Sequence, residues 1–235
     1  MMYKIYDTHF HLDLQKNKKQ VIEEINKEKI YTIAVTNLPD LYRKAQGQIG
    51  SPYVRLALGF HPELLLEYKH QIPLMWELLS QARYIGEVGL DFSSSKYDQE
   101  QVSFFEELIN RCINDPTKIV TIHSRKSTST VLDIIGDVFS FKPILHWFTG
   151  SKKELDIAIE RGYYFSVNAS MIKSVNGKEI ISRIPRTQLL LETDSPFSAE
   201  DSQKQNLCTT LRYLDPVATG FMWQNFEKLL RDSSL

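Results

Sequence analysis

The chain has 235 residues, 42% of them hydrophobic, enough to bury the core of a single domain spanning 1–235. Its 28 basic and 29 acidic residues leave a formal charge of −1, so no global field draws it to nucleic acid or to an anionic membrane; any polyanion has to be held by local charge. The start, Met1-Met2-Tyr3-Lys4-Ile5, lacks the apolar core of a signal peptide. No stretch approaches the roughly 20 apolar residues of a membrane helix, which predicts a soluble, cytoplasmic protein. Cys112 and Cys208 stand without partners at Cys-x-x-Cys spacing and read as buried, reduced thiols with no chemical role.

In chain order, short β-branched or apolar runs at 3–7, 31–36, 53–59, 84–88, 118–122, 142–146, 163–167 and 188–192 read as strands. Between them lie stretches with helical spacing: Val21, Ile22, Ile25 and Ile30; then Val102, Phe105, Leu108, Ile109 and Cys112; then Leu155, Ile157, Ala158 and Ile159. Pro39, Asp98 with Glu100, Ser151 with Glu154, and Pro196 sit where helices or their connections should begin, and Gly162 follows a helix. A last amphipathic stretch, from Gly220 to Arg231, reads as a closing helix with Phe221, Trp223, Phe226, Leu229 and Leu230 turned inward. Eight strand-helix units predict an α/β fold, a single (β/α)8 barrel of TIM type, with its active site at the carboxyl ends of the strands.

Chemically capable residues recur at that rim. His9 and His11, spaced for one side of a strand, close the first run in Asp7-Thr8-His9-Phe10-His11. His61 follows the third in Gly59-Phe60-His61-Pro62, Glu87 ends the fourth, His123 ends the fifth, His146 follows the sixth and Asp194 the eighth. Any one histidine at a strand end is as readily a satisfied structural residue. Four histidines and two carboxylates converging on a partly buried pocket are costly unless a cation satisfies them. The count exceeds what one catalytic ion needs and points to two divalent ions about 3.5–4 Å apart, with Glu87 as the bridging carboxylate. Histidine-rich ligation suits zinc, manganese or iron, while carboxylate and phosphate oxygens can recruit magnesium.

The motifs Asp-Thr-His-Phe-His-Leu, Gly-Phe-His-Pro, Gly-Glu-Val-Gly-Leu-Asp, Ile-His-Ser-Arg, Leu-His-Trp-Phe-Thr-Gly and Leu-Glu-Thr-Asp-Ser-Pro-Phe stand in one order from Asp7 to Phe197. In this the sequence resembles the TatD family of metal-dependent deoxyribonucleases, within the amidohydrolase-like barrels. Val35-Thr36-Asn37-Leu38-Pro39 and His146-Trp147-Phe148 look closer still to the QatD branch, the TatD-like component of a bacterial anti-phage system.

The resemblance implies that His9, His11, Glu87 and Asp194 hold one ion, and Glu87, His123 and His146 the second. It implies hydrolysis of DNA phosphodiesters by a metal-activated water, with Asp194 orienting or deprotonating that water and His61 touching the scissile phosphate or leaving oxygen. DNA, as single strands or ends, is the implied substrate, and the anti-phage likeness implies protein partners in a defence complex. Hydrolysis of an ester or amide on the same scaffold, or a binding role that depends on partners, stays open.

Substrate contacts are less marked. Among Phe10, Phe60, Phe92, Trp147, Phe148 and Phe197, strand alternation favours Trp147 and Phe60 as rings for base stacking. Arg125, beside His123, is the basic residue expected at a phosphate, whereas Lys126, Lys152, Lys153 and Lys173 read as surface lysines. Asp91 and Ser124 are candidates to orient ligands. Relatives usually carry an arginine-lysine-asparagine cluster after the eighth strand, and the segment 198–206 departs from it, with Lys204 and Asn206 as partial replacements.

Overall fold

The computed structural model describes residues 4–94, 98–197, 202–217 and 219–231. Eight parallel strands follow one another as β1 (Tyr6–Phe10), β2 (Tyr31–Ala34), β3 (Val54–Leu56), β4 (Tyr84–Gly89), β5 (Ile119–His123), β6 (Lys142–His146), β7 (Tyr164–Val167) and β8 (Leu189–Leu191). The helices are α1 (Lys18–Glu28), α2 (Pro39–Ala45), α3 (Ile72–Leu79), α4 (Asp98–Cys112), α5 (Thr128–Ile135), α6 (Lys152–Glu160), α7 (Ala169–Lys173), α8 (Val175–Arg183), α9 (Gln203–Leu214) and α10 (Phe221–Leu230).

Strands β1 to β3 form one ladder and β4 to β8 another, and a bridge between Leu58 and Ile85 joins them. The circle closes between β8 and β1, where Thr8 Oγ1 donates to Leu191 O at 2.9 Å, Asp194 N to His9 O at 2.9 Å and His11 N to Ser195 O at 3.1 Å. The expected (β/α)8 barrel is therefore present. One apolar core fills the barrel and the helix layer, and a smaller cluster of Phe10, Leu12, Ile25, Ala34 and Val54 lies under α1.

Local signals start and stop these elements. Asn17 caps α1 through its side chain, and Lys29, in the left-handed region at φ 55°, ends it, so Ile30 belongs to the approach to β2. Pro39 opens α2 as its first residue, and Ser151 with Glu154 makes a reciprocal capping box for α6. The first strand differs from expectation: it runs three residues later than the apolar run 3–7. Its residues are buried on both faces, so Asp7, Thr8 and His9 lie inside it, and the Asp7 and Thr8 side chains are satisfied by β8 and its loop.

Helix α10 closes the amino-terminal end of the barrel. Phe226 stacks on Tyr6 with ring centroids 4.1 Å apart, and the Tyr6 hydroxyl donates to Met222 O at 3.0 Å. Asn225 Nδ2 donates to Arg186 O at 2.6 Å and Leu189 O at 2.8 Å. The inward residues are Met222, Asn225, Phe226 and Leu229, while Phe221, Trp223 and Leu230 are only half-buried.

Candidate metal centre

Glu87 lies within β4, where the pairing with β5 shifts register between Ile85 and Val88. The residue before it has to be glycine: a Cβ on Gly86, at φ 153°, would stand 2.1 Å from Thr121 Cγ2. This close approach of β4 to β5 sets the carboxylate, 3% exposed, in the middle of the carboxyl-terminal rim.

Imidazoles surround it. Glu87 Oε1 lies 2.7 Å from His123 Nδ1, 2.9 Å from His146 Nε2 and 3.6 Å from His61 Nε2. Its Oε2 lies 3.2 Å from His11 Nε2 and 3.6 Å from His9 Nε2. Asp194 Oδ1 completes the group, 3.3 Å from His11 Nε2 and 3.7 Å from His9 Nε2. All six ligand candidates read from the sequence thus converge, and His61 joins them. His61 does two things at once: its Nδ1 accepts the Glu63 N–H at 3.3 Å, capping the turn after Pro62, while its Nε2 faces Glu87.

Electrostatics follow from packing charge into a buried rim. Burial disfavours an ionised Glu87, but the fields of His61 and His146 and the bonds from His11 and His123 override it and hold the carboxyl well below its usual range. Burial likewise opposes a charged His123, yet Asp91, with Oδ2 2.7 Å from Nε2, and Glu87 lift it to about 10. His11 is held well above its ordinary value by Asp13, Asp194 and Glu87 against burial. Burial, then the neighbouring His146, pushes His9 down to about 4.

Five buried atoms here have no hydrogen-bond partner among the described residues: His9 Nε2, His11 Nδ1, Asp13 Oδ1, His146 Nδ1 and Asp194 Oδ1. Leaving such atoms unpaired costs about 1–3 kcal/mol each, which a bound cation relieves for those that can ligate it. Candidate ligand atoms lie within 4.8 Å of one another in three groups: His9, His11 and Asp194; His61, Glu87 and His123; His9, His146 and Glu192. The donors, imidazole nitrogen and carboxylate oxygen, fit a divalent transition ion or zinc. The first group lies within one of the ligand sets that the resemblance implies, the second shares Glu87 and His123 with the other, and the third instead takes His146 with His9 and Glu192.

Groups behind the imidazoles hold His9 and His123 in place and stand close to His11. Thr121 Oγ1 lies 2.7 Å from His9 Nδ1, Asp91 holds His123, and Asp13 Oδ1 lies 3.8 Å from His11 Nδ1 while its other oxygen accepts the Asn37 N–H. Glu192, fully buried, faces His146 Nδ1 with Oε2 at 3.9 Å. It accepts hydrogen bonds from Asn168 Nδ2 at 2.8 Å, Trp147 N at 3.2 Å and the Ser166 hydroxyl. Burial, then Asp194, pushes its carboxyl well above the usual range. Asp13 and Glu192 escaped the sequence reading; each stands two residues from a ligand but beyond the end of its strand, where alternation gives no signal. Asp7, also buried, staples β1 to the β8 loop through Thr193 N–H and Oγ1 and through Gln203.

The site opens into a cleft of about 460 Å³ lined by ligands and by Asp91, Ser124, Arg125, Trp147 and Phe197. Trp147 at φ 37° and Asp194 at φ 51° both occupy the left-handed region, a strained backbone of the kind that gathers at functional sites. Arg125 and Trp147 thus stand where the sequence expects them. Phe60 does not. It is 1% exposed and packs against Phe104, because its side chain points into the helix layer. Phe197, set aside in its favour, is 64% exposed in the cleft. Nor do Lys204 and Asn206 replace a phosphate clamp: Lys204 pairs with Glu28 at 2.5 Å and Asn206 is buried in α9, bonded to Ser202 O. Glu200 and Asp201 lie outside the described residues.

The TatD related DNase family matches residues 6–219. The chain belongs to that family. Human deoxyribonuclease TATDN3 is 27% identical to it over 227 residues, 86% of this chain and 81% of the relative. An uncharacterized metal-dependent hydrolase of Bacillus subtilis, YabD, is 28% identical over 209 residues, covering 82% and 80%. Among solved structures, the TatD homologue YjjV of Escherichia coli superposes with a TM-score of 0.73 at 19% identity, covering 97% of this chain and 98% of its own. That likeness shows the TatD barrel fold.

Proposed function

We propose that this TatD protein is a divalent-metal-dependent deoxyribonuclease. The observation that carries the reading is Glu87, a buried carboxylate amid imidazoles with several buried nitrogens and an Asp194 oxygen left without partners. The family membership and the names of the relatives support the substrate class. His9, His11, Glu87 and Asp194 would hold one ion, and Glu87, His123 and His146, with His61 alongside, the other. Such ions, when bound, supply positive charge to a phosphate oxygen and acidify a water.

The chain's own residues do the rest. Asp194 Oδ1, unpartnered and at the wall of the cleft, orients or deprotonates the attacking water. Arg125 holds a non-bridging phosphate oxygen from the β5 loop, and His61, exposed enough to meet substrate, touches the scissile phosphate or leaving oxygen. Trp147 packs against a base. Among the described residues no helix is long and apolar enough to cross a membrane.

End-labelled single-stranded DNA, incubated with EDTA or with added magnesium, manganese or zinc, tests this reading. Metal-dependent cleavage that vanishes in a Glu87→Ala/Asp194→Ala double variant is the expected result. Wild type that holds metal and cuts no DNA under any ion overturns it in favour of another hydrolysis. Finer still, the motif likeness to QatD supports work within an anti-phage complex. There, phage plating on cells carrying the wild-type protein with its partners should fall by orders of magnitude relative to cells carrying Glu87→Ala.

A further inference from the structure

We infer that Phe197 is a stacking platform for the nucleobase adjoining the scissile phosphate. The inference rests on the nuclease reading above and adds the subsite. Isolated exposed apolar residues are ordinary. Six large hydrophobic side chains are exposed among the described residues, Val138, Val175 and Val217 more so than Phe197, but only Phe197 of the six lines the cleft.

Its presentation is rigid. The turn after β8 is tied back by Phe197 N–H to Asp194 O at 2.8 Å, and Ser195 O accepts both the His11 N–H at 3.1 Å and Gln15 Nε2 at 3.3 Å. The ring meets His11 at a right angle, 88° with centroids 5.3 Å apart, so it borders the ligand cluster while 64% of the residue stays exposed. An aromatic held this firmly in solvent, against the ring of His11, matches the stacking surfaces of single-strand binders.

The rest of the rim fits a nucleotide. The loops after β5, β6 and β8 bring Arg125, Trp147 and Phe197 to one cleft, a cation and two rings, as a phosphate with its flanking bases requires.

The test uses the full-length protein, loaded with the divalent ion that best supports cleavage. Wild type, Phe197→Ala, Phe197→Leu and Phe197→Trp are compared on a single strand and on strands carrying one abasic residue walked across the cleaved linkage. Affinity is read separately, by anisotropy of the labelled strand in EDTA.

Phe197→Ala should lower kcat/KM on the intact strand by about tenfold or more and weaken binding in parallel. On the strand lacking the stacked base it should match wild type, and Phe197→Trp should restore the difference. Equal losses on intact and abasic strands, or no loss on either, overturn the platform while leaving the nuclease reading intact. If wild type cuts none of the strands, the nuclease reading fails and the platform with it.

Discussion

Two buried charges sit at opposite ends of the same barrel. At the amino end, just before β5, Lys118 is 5% exposed, and its ammonium donates to Leu79 O at 2.9 Å and Ala82 O at 2.6 Å, with Asp115 at 3.7 Å. At the carboxyl end, Glu87 is as deeply buried, but the imidazoles and carboxylate around it retain four atoms without partners. Both charges had to be desolvated on folding. One was satisfied by protein carbonyls and holds the floor together. The other is set among groups of which His9 Nε2 and Asp194 Oδ1, 3.7 Å apart, keep free valences facing each other, which is what a site for a ligand looks like when stability alone is not being served.

The sharpest way to break that comparison is Glu87→Ala. Loss of the central carboxylate should abolish divalent-ion retention, read by elemental analysis, and lower DNA cleavage by about a thousandfold or more, with the far-UV spectrum unchanged. Retained metal and activity would mean that the rim cluster is structural after all. Lys118→Met tests the opposite end. It strips the Leu79 and Ala82 carbonyls of their donor, at a cost of about 2–4 kcal/mol, or several degrees in Tm for a protein of this size. Its metal content and its rate per folded molecule should match wild type, since nothing at the floor touches the ligands.

The contrast between the two ends also explains what could be read from the chain. Eight strands were legible because each is a short apolar run, and the rim because His9, Glu87, His123 and Asp194 recur at the ends of those runs. The boundaries of β1 were not legible: Asp7 and Thr8 look like loop residues until β8 supplies their partners, and that pairing joins residues some 185 positions apart, as in Thr193 with Asp7. Aromatic roles were half legible. Alternation removed Phe10 and Phe148 correctly, both at 2% exposure or less, but could not tell Phe60 from Phe197, because loop residues beyond a strand end no longer obey a period of two. Lys204 shows the same limit, since its partner Glu28 lies on a helix distant in sequence.

A smaller effect is expected where the rim meets its support. Glu192 is held by Asn168, Trp147 N–H and Ser166, and faces His146 Nδ1 from 3.9 Å, about 1 Å beyond a hydrogen bond. Glu192→Gln keeps the volume and the acceptor oxygen, so Tm should move little. Metal affinity, measured by competition with a chelator, should fall about 10- to 100-fold as His146 loses its carboxylate. Unchanged affinity would reduce Glu192 to a wall residue and move the limit of the site inward to the ligands themselves.

The smallest effect belongs to the floor. Cys112, at the end of α4, is free and fully buried, and burial pushes its thiol up to about 12, with Lys118 pulling down and Asp115 pushing up by less. A folded-state value above the ordinary 9.0 means that the unfolded chain releases this proton first. Stability is therefore complete below pH 9 and declines as pH rises from 9 towards 12, by at most about 1.4 kcal/mol per pH unit from this group. Buried Tyr6, Tyr84 and Tyr163, whose hydroxyls burial also pushes up, add their own alkaline losses, so the measurement is a difference. Urea unfolding of wild type and Cys112→Ala at pH 8, 9, 10 and 10.5 should give a constant gap up to pH 9 that narrows above it. In a Lys118→Met background the thiol loses its nearest cation and ionises later still, so the narrowing should persist to higher pH. A gap that stays constant throughout would mean that water reaches Cys112, and that the floor is less tightly sealed than its hydrogen bonds imply.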